Sequence, residues 1–423
     1  MTNTVHRAGR AALLAGLAAC LALTACNSTG NSADNAGSGG FVVNAEDCQD
    51  PEAAAAPIEG AITVGFSAPL SGPVAGPAEL AGGGYKARIA AQNARGGIDG
   101  HQIEVVYRDD SFQPDKAKAN ATEFLQRTKV DILNTFGAGA LGAMADDQNA
   151  ACVPLLYPSS SAPQFQDMQT YPWTVQFLPS AAKETRFLVQ YIQQKVPGAR
   201  VGIAENSTAS GVQQSAAFQA SAKEAGLDIV LVTPDTDPNA AATALKEAGA
   251  DVVYHAGVVG SCGVFDTARD RIGYKPELVV KASNCVNTPE YLTAGAAADG
   301  VVIPRYLKDP GDPAMVADPG VQTYLADMTG VADPNNAVTI SGWLQADLMI
   351  NTLQQAATSE QGLTRISIIE AARNQTYSSP MLTDGIEWVS TPDHPAGVNG
   401  FEPIAWSAAE RRFLPAGPVV AIQ

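Results

Sequence analysis

Basic residues are scarce in this chain. Only 26 lysines and arginines stand against 43 acids in 423 residues, a net charge of −17. No Lys/Arg-rich patch breaks the pattern, so the electrostatic footprint of a nucleic-acid binder is missing. Histidine is scarcer still, at four. His101, His255 and His394 lie far apart and no cysteines are spaced as CxxC, so no zinc site is legible. The sequence holds no Gly-x-Ser-x-Gly, which removes the nucleophile elbow of the α/β-hydrolases. No apolar run reaches the roughly 20 residues that span a bilayer, and no short-period repeat occurs.

What is present begins at the N-terminus. Residues 1–10 carry His6, Arg7 and Arg10 and no acid, and residues 11–25 form an apolar run broken by Gly16 and Thr24. A charged segment followed by an apolar one of this length reads as a secretory signal over 1–25. The run ends Leu23-Thr24-Ala25-Cys26, which resembles the lipobox of bacterial lipoproteins. That resemblance implies a diacylglycerol on Cys26 and a place on the outer face of the cytoplasmic membrane. Residues 27–40 are mostly Asn, Ser, Gly and Ala, the composition of a flexible tether, so 26–57 reads as lipidated cysteine plus tether. Cys20 leaves with the signal. The four remaining cysteines, Cys48, Cys152, Cys262 and Cys285, are an even set that suggests two disulfides in an exported chain.

From Ile58 on, strand-like and helix-like runs alternate. Strands are expected over 61–66, 102–107, 130–136 and 153–157, with helices over 78–93, 115–128 and 141–151 between and after them. The pattern restarts with helices over 182–196, 211–225, 240–248 and 265–272 and strands over 200–204, 228–233, 251–257 and 277–282. Alternation of this kind argues for parallel sheets covered on both faces. Helices are expected again over 321–329, 338–357 and 366–373, and 386–414 reads as irregular short strands. The fold class is therefore α/β, as two doubly wound parallel-sheet lobes. Cys262 opens the helix after one strand and Cys285 lies just past the next, so adjacent parallel strands bring them within disulfide reach. Cys48 is then left with Cys152.

Several segments, in order, carry a family resemblance: Ser67-Ala-Pro-Leu-Ser-Gly-Pro73, Ala94-Arg-Gly-Gly-Ile-Asp-Gly-His-Gln-Ile103, Tyr107-Arg-Asp-Asp110, Pro158-Ser-Ser-Ser-Ala-Pro163 and Gly400-Phe-Glu-Pro-Ile-Ala-Trp406. Together they are similar to the type 1 periplasmic binding proteins, in particular the branched-chain amino-acid (Leu/Ile/Val) receptors of ABC importers. The resemblance implies a three-crossover hinge, with the chain leaving lobe 1 near Phe177, returning near Arg305 and crossing again near Gly385. Lobe 1 would comprise 58–177 and 306–385, lobe 2 178–305 and 386–423. A small solute would sit between the lobes, beyond the carboxyl ends of both sheets, and pass to a membrane permease with its ATPase. No cofactor and no catalysis are implied. A ligand sensor or structural lipoprotein that reuses the fold is the other reading.

Within that frame, Gly137-Ala-Gly-Ala-Leu-Gly142 fits GxGxxG, but the next strand ends in Tyr157-Pro-Ser-Ser-Ser without the acid that a dinucleotide ribose needs. Its free backbone N–H groups, at Ala138, Gly139 and Ala140, suit a ligand carboxylate or carbonyl, and the resemblance adds Ser159, Ser160 and Ser161. In the family an acid holds the ligand ammonium, and two tyrosines help. Those three places fall here on Asn284, Ser210 and Val258, and the serine of the first loop becomes Ala138. An ammonium without a carboxylate partner is costly to bury, so a neutral or anionic solute is expected in place of Leu, Ile or Val. Glu205 is the acid that could restore an ammonium site. Tyr157, Trp173 and Tyr306 are candidates for apolar cleft walls, with core packing the stronger alternative for each. Asp109-Asp110 read as capping residues and His255 as buried or cleft-lining.

Overall fold

The computed structural model describes residues 40–422. The signal and lipobox segment therefore lies outside the described residues. A short helix, α1 (Pro51–Ala55), precedes the first sheet, which runs β1 (Ile62–Ala68), α2 (Ala75–Ala94), β2 (Ile103–Asp109), α3 (Pro114–Glu123), β3 (Ile132–Thr135), α4 (Ala138–Ala150), β4 (Leu155–Leu156) and β5 (Thr174–Val175). Its strand order is β2-β1-β3-β4-β5, all parallel. β4 is shorter than its apolar run because Pro154 and Pro158 bracket it and neither can donate to the ladder. β5 is too short to stand out in the sequence, and its pairing with Leu155 and Leu156 is what reveals it.

The chain then builds a second sheet: α5 (Ala181–Lys195), β6 (Arg200–Glu205), α6 (Ala209–Glu224), β7 (Asp228–Pro234), α7 (Pro238–Glu247), β8 (Val252–Ala256), α8 (Cys262–Arg271), β9 (Leu278–Lys281), α9 (Thr288–Ala294) and β10 (Val302–Arg305). Thr208 caps α6 through Gly211 N–H and Asp237 caps α7, each supplying an acceptor to N–H groups that the helix cannot pair. α10 (Pro319–Asp327), α11 (Ala337–Ala357) and α12 (Arg365–Arg373) follow, with α11 laid along α2 and α12. The tail resolves into a small antiparallel sheet, β11 (Gln375–Tyr377), β12 (Trp388–Thr391) and β13 (His394–Val398), then β14 (Gly400–Ser407), β15 (Arg412–Pro415) and β16 (Val420–Ala421). β14 joins the second sheet antiparallel to β10, giving the order β7-β6-β8-β9-β10-β14-β15. The result is a two-lobe α/β fold whose second sheet carries an antiparallel edge.

Aromatic rings fill the joint between the sheets. Trp388 is fully buried, stacked on Phe177 and edge-on to Tyr157. The Tyr157 hydroxyl meets Thr352 and Gln375, and Trp173 is likewise core. Both are therefore interior packing and not cleft wall. Phe177 and Trp388 lie on segments that run between the two sheets, so the ring stack pins the crossing chain. Both disulfides are present, Cys48–Cys152 and Cys262–Cys285.

The α2–α11 contact depends on two glycines. A Cβ at Gly84 would meet the Thr339 carbonyl, and one at Gly342 the Ala81 carbonyl, so bare backbone lets the helices touch. Arg88 on α2 and Asp347 on α11 pair beside them at 2.8 Å. Gly342→Ala forces the helices apart and should lower stability by about 1–3 kcal/mol. Chemical denaturation checks this, since the midpoint should fall while its slope is unchanged.

Candidate functional site

Parallel strands put all their carboxyl ends on one edge, and the loops leaving those edges enclose a cavity of about 470 Å³. That volume suits a small molecule. The first sheet contributes Phe136–Ala138 after β3, Ser159–Ser161 after β4 and Phe177–Leu178 after β5. The second contributes Thr208–Ser210 after β6, Val258 and Val259 after β8, Ser283 and Asn284 after β9, and Arg305 at the end of β10 with Tyr306–Asp309 beyond it. Of the residues singled out in the sequence, Ala138, Ser159, Ser160, Ser161, Ser210, Val258 and Asn284 line it, as does Tyr306. Gly139 and Ala140 do not. Each helical residue turns about 100° from the last, and Ala140 packs instead against Phe165 and its neighbours in the core of the first sheet. Gly137 has a φ of 95° with the Phe112 ring against it, a conformation open to glycine at little strain.

The wall also holds residues that the sequence did not mark. Gln213, on α6, donates 2.8 Å to the Ser161 carbonyl and so spans the cleft. Gln345, on α11, donates 2.6 Å to the Ser159 hydroxyl. Arg305 and Lys308 bring positive charge, but each is matched locally. Arg305 holds Glu402, and Lys308 holds Asp318 and Asp384. Asp309 is the one acid in the wall among the described residues, and it accepts from the Thr288 hydroxyl and Gly311 N–H. Glu205 is not in the wall. Long sequence separations hid all of these, since nothing near Gln345 or Asp309 in the chain points at Ser159 or Thr288.

The other flagged groups are structural. Asp109 accepts from Leu70, Ser71 and Ser111, and the Ser71 hydroxyl with Ser111 N–H brings its carboxyl down to about 2. Asp110 is buried on the Ser67 hydroxyl. His255 is fully buried, 2.9 Å from Asp235. It lies beside Cys262 and Cys285, whose sulfurs are joined to each other and so cannot serve as the thiolates that a metal requires.

The Ser283–Asn284 loop rests on a buried carboxylate. Glu184, in the first turn of α5, takes the Ser283 N–H at 2.8 Å and the Ser283 hydroxyl. It is fully buried. Burial is the largest influence on it and, against the Ser283 and Gln214 hydrogen bonds, pushes its carboxyl up to about 7.

Residues 61–402 match the profile of a periplasmic binding protein. The chain belongs to that family. Curated relatives of this binding protein include a Leu/Ile/Val-binding protein homolog 3 of Brucella melitensis, 23% identical over 71% of this chain and 80% of the relative. Another is the Leu/Ile/Val-binding protein BraC3 of Rhizobium johnstonii, 22% identical over 71% of this chain and 80% of the relative. Among solved structures, a branched-chain amino-acid ABC transporter protein of Thermus thermophilus with bound valine superposes at a TM-score of 0.75 and 18% identity, covering 86% of this chain and 97% of that one. An R. palustris solute-binding protein in complex with 4-hydroxybenzoate superposes at 0.68 and 20%, covering 86% and 98%. These comparisons return the receptor family read from the ordered motifs. Such proteins are exported receptors that serve ABC transporters and are not enzymes. No helix among the described residues is long and apolar enough to cross a membrane.

The buried carboxylate of this binding protein has a pH signature. With an ordinary value of 4.5 and a folded value near 7, Glu184 keeps its proton in the folded state across a window where the unfolded state releases it. The unfolded chain then binds fewer protons, so stability falls as pH rises from 4.5 to 7 and is lower by about 3 kcal/mol above that window. Tyr254 and Tyr306 also face Glu184, and burial keeps both protonated there. Thermal melts of wild type and Glu184→Gln across pH 4–8 check this. The wild-type curve should fall with pH, and the variant should lack that component.

Proposed function

We propose that this protein is a lipoprotein anchored through Cys26, on the outer face of the cytoplasmic membrane, that captures a neutral or anionic small solute and delivers it to an ABC permease with its ATPase. In this reading the solute is held between a lobe of 58–177 with 306–385 and a lobe of 178–305 with 386–423. The lobes close on it by a hinge motion.

The observation that carries the solute class is Asn284. It lines the cavity where the family resemblance places the ammonium-binding acid, and its amide donates 3.0 Å to Ser210, which occupies one of the tyrosine places. The acid present, Asp309, is already engaged by Thr288 and Gly311. The wall is otherwise rich in rings and aliphatic groups, with Phe112, Phe136, Phe177 and Tyr306 among them. Related folds hold anionic solutes, since solute-binding proteins of R. palustris are known in complex with 4-hydroxybenzoate and with benzoate.

A thermal-shift screen of the purified mature protein against amino acids, amides, aromatic acids and nucleobases tests the reading. An uncharged or acidic solute should raise the melting temperature, because ligand at 100 times its Kd adds about 2.7 kcal/mol. Ser161→Ala should weaken that solute about tenfold in calorimetry, the loss of one good hydrogen bond. Micromolar binding of leucine or valine by the wild type overturns the solute class. Asn284→Asp should turn the preference toward α-amino acids.

The anchor is tested separately. Replacing Cys26 with Ser should move the protein from the membrane fraction to the soluble one. Full retention with membranes refutes lipidation at that residue.

A further inference from the structure

Resting on the reading of the cleft as a solute site, we propose that Phe112 is the ring against which the solute lays a flat face, so that this receptor selects planar aromatic acids over saturated acids of the same charge and similar size.

The loop between β2 and α3 holds this ring at the cost of backbone strain. Ser111 and Phe112 have φ of 49° and 61°, two consecutive left-handed residues. Neither is a glycine, asparagine or aspartate, the types that ordinarily enter that region. Such a backbone persists only where its surroundings enforce it, and ligand clamps are one place where it collects. Two carboxylates enforce it here. Asp109 accepts from the Ser111 N–H and hydroxyl, and also from Leu70 N–H and the Ser71 N–H and hydroxyl in the loop after β1. Asp110, fully buried on the Ser67 hydroxyl, accepts from Phe112 N–H at 2.8 Å. Asn120, on α3, donates to the same Ser67 hydroxyl.

Interior packing does not account for that conformation. Tyr157 has a similar φ of 55°, but it is fully buried, edge-on to Trp388, with its hydroxyl on Thr352 and Gln375, so core contacts offset its strain. Phe112 is 46% exposed, and it lines the cavity. Phe136, Phe177 and Tyr306 line it too, yet Phe136 is partly covered and the other two are buried. Phe112 therefore has the largest open fraction of the aromatic side chains in the wall. Gly137 makes room for it, since a Cβ there would stand 2.9 Å from Phe112 Cε2 and 3.4 Å from Cζ. Gly137 is also the residue that opens α4, so a carboxylate held at the start of α4 brings the group it carries beside the ring. An aromatic group gains there from offset or edge-on contact beyond the area it buries, whereas a saturated ring gains burial alone. The ring is already fixed by its backbone, so little freedom is lost when a solute meets it.

Benzoate and cyclohexanecarboxylate, equal in charge and near in size, are titrated calorimetrically into the full mature protein. The wild type should favour benzoate by about threefold to tenfold, the scale of one aromatic pair. Phe112→Leu keeps an apolar side chain without the flat face, and the preference should fall to within about twofold. Phe112→Tyr should restore it. If the leucine variant does not fold, Phe112→Trp puts a fluorophore at the same place, and bound benzoate should alter its emission, measured against the wild-type spectrum. Equal binding of the two probes by the wild type, an unchanged preference in Phe112→Leu, or an unaltered emission with benzoate bound to Phe112→Trp overturns the proposal. So does failure of both probes while another solute in the screen binds. If no solute in the screen binds, the receptor reading itself has failed.

Discussion

A parallel strand can rejoin its own sheet only through a crossover over one face, and that constraint decides where every loop of the cleft begins. Each strand runs the same way, so each carboxyl end reaches the same edge. In this protein two such edges meet. Phe136–Ala138, Ser159–Ser161, Val258–Val259 and Ser283–Asn284 are far apart in the chain yet occupy equivalent places on their strands. The antiparallel β14 adds width without adding a cleft loop at that edge, because it runs the other way beside β10.

What the sequence showed depended on how local the cause was. The alternation of apolar runs from residue 61 to 282 reports burial on both faces of a sheet, which is a property of neighbouring residues, and the two sheets follow from it. β5 is two residues long, so no periodicity can mark it, and β10 contains Pro304, which reads against a strand until its partner β14 is seen. In the cleft, the serine loop and the Gly137 turn were visible because they sit directly after strands. Glu184 was not, since an acid in the first turn of a helix ordinarily reads as a solvated partner of the helix dipole. Only the fold brings Ser283 over it.

The interior charges share one design. Lys281 with Asp266, Arg305 with Glu402, and Arg88 with Asp347 are pairs of which both members are largely out of water. An isolated charge in those places would be strongly destabilising, while a pair makes the neighbouring elements depend on one another's exact register. Asp347 extends this by accepting also from Tyr377 and Ser379, so one carboxylate on α11 organises α2 and the segment around β11 together.

The Cys48–Cys152 bond has a mechanical consequence. It joins the N-terminal segment to the residues just before β4, and Gln49 N–H reaches the Ala150 carbonyl beside it. Tension entering at Gly40 thus reaches Cys48 before it reaches α1 or β1. The covalent branch carries the load into the interior strand β4, whose hydrogen bonds to β3 and β5 lie on both sides. Force drawn through this end is shared across the first sheet and cannot peel β1 away one residue at a time, so the cleft loops keep their spacing while the end of the chain is pulled.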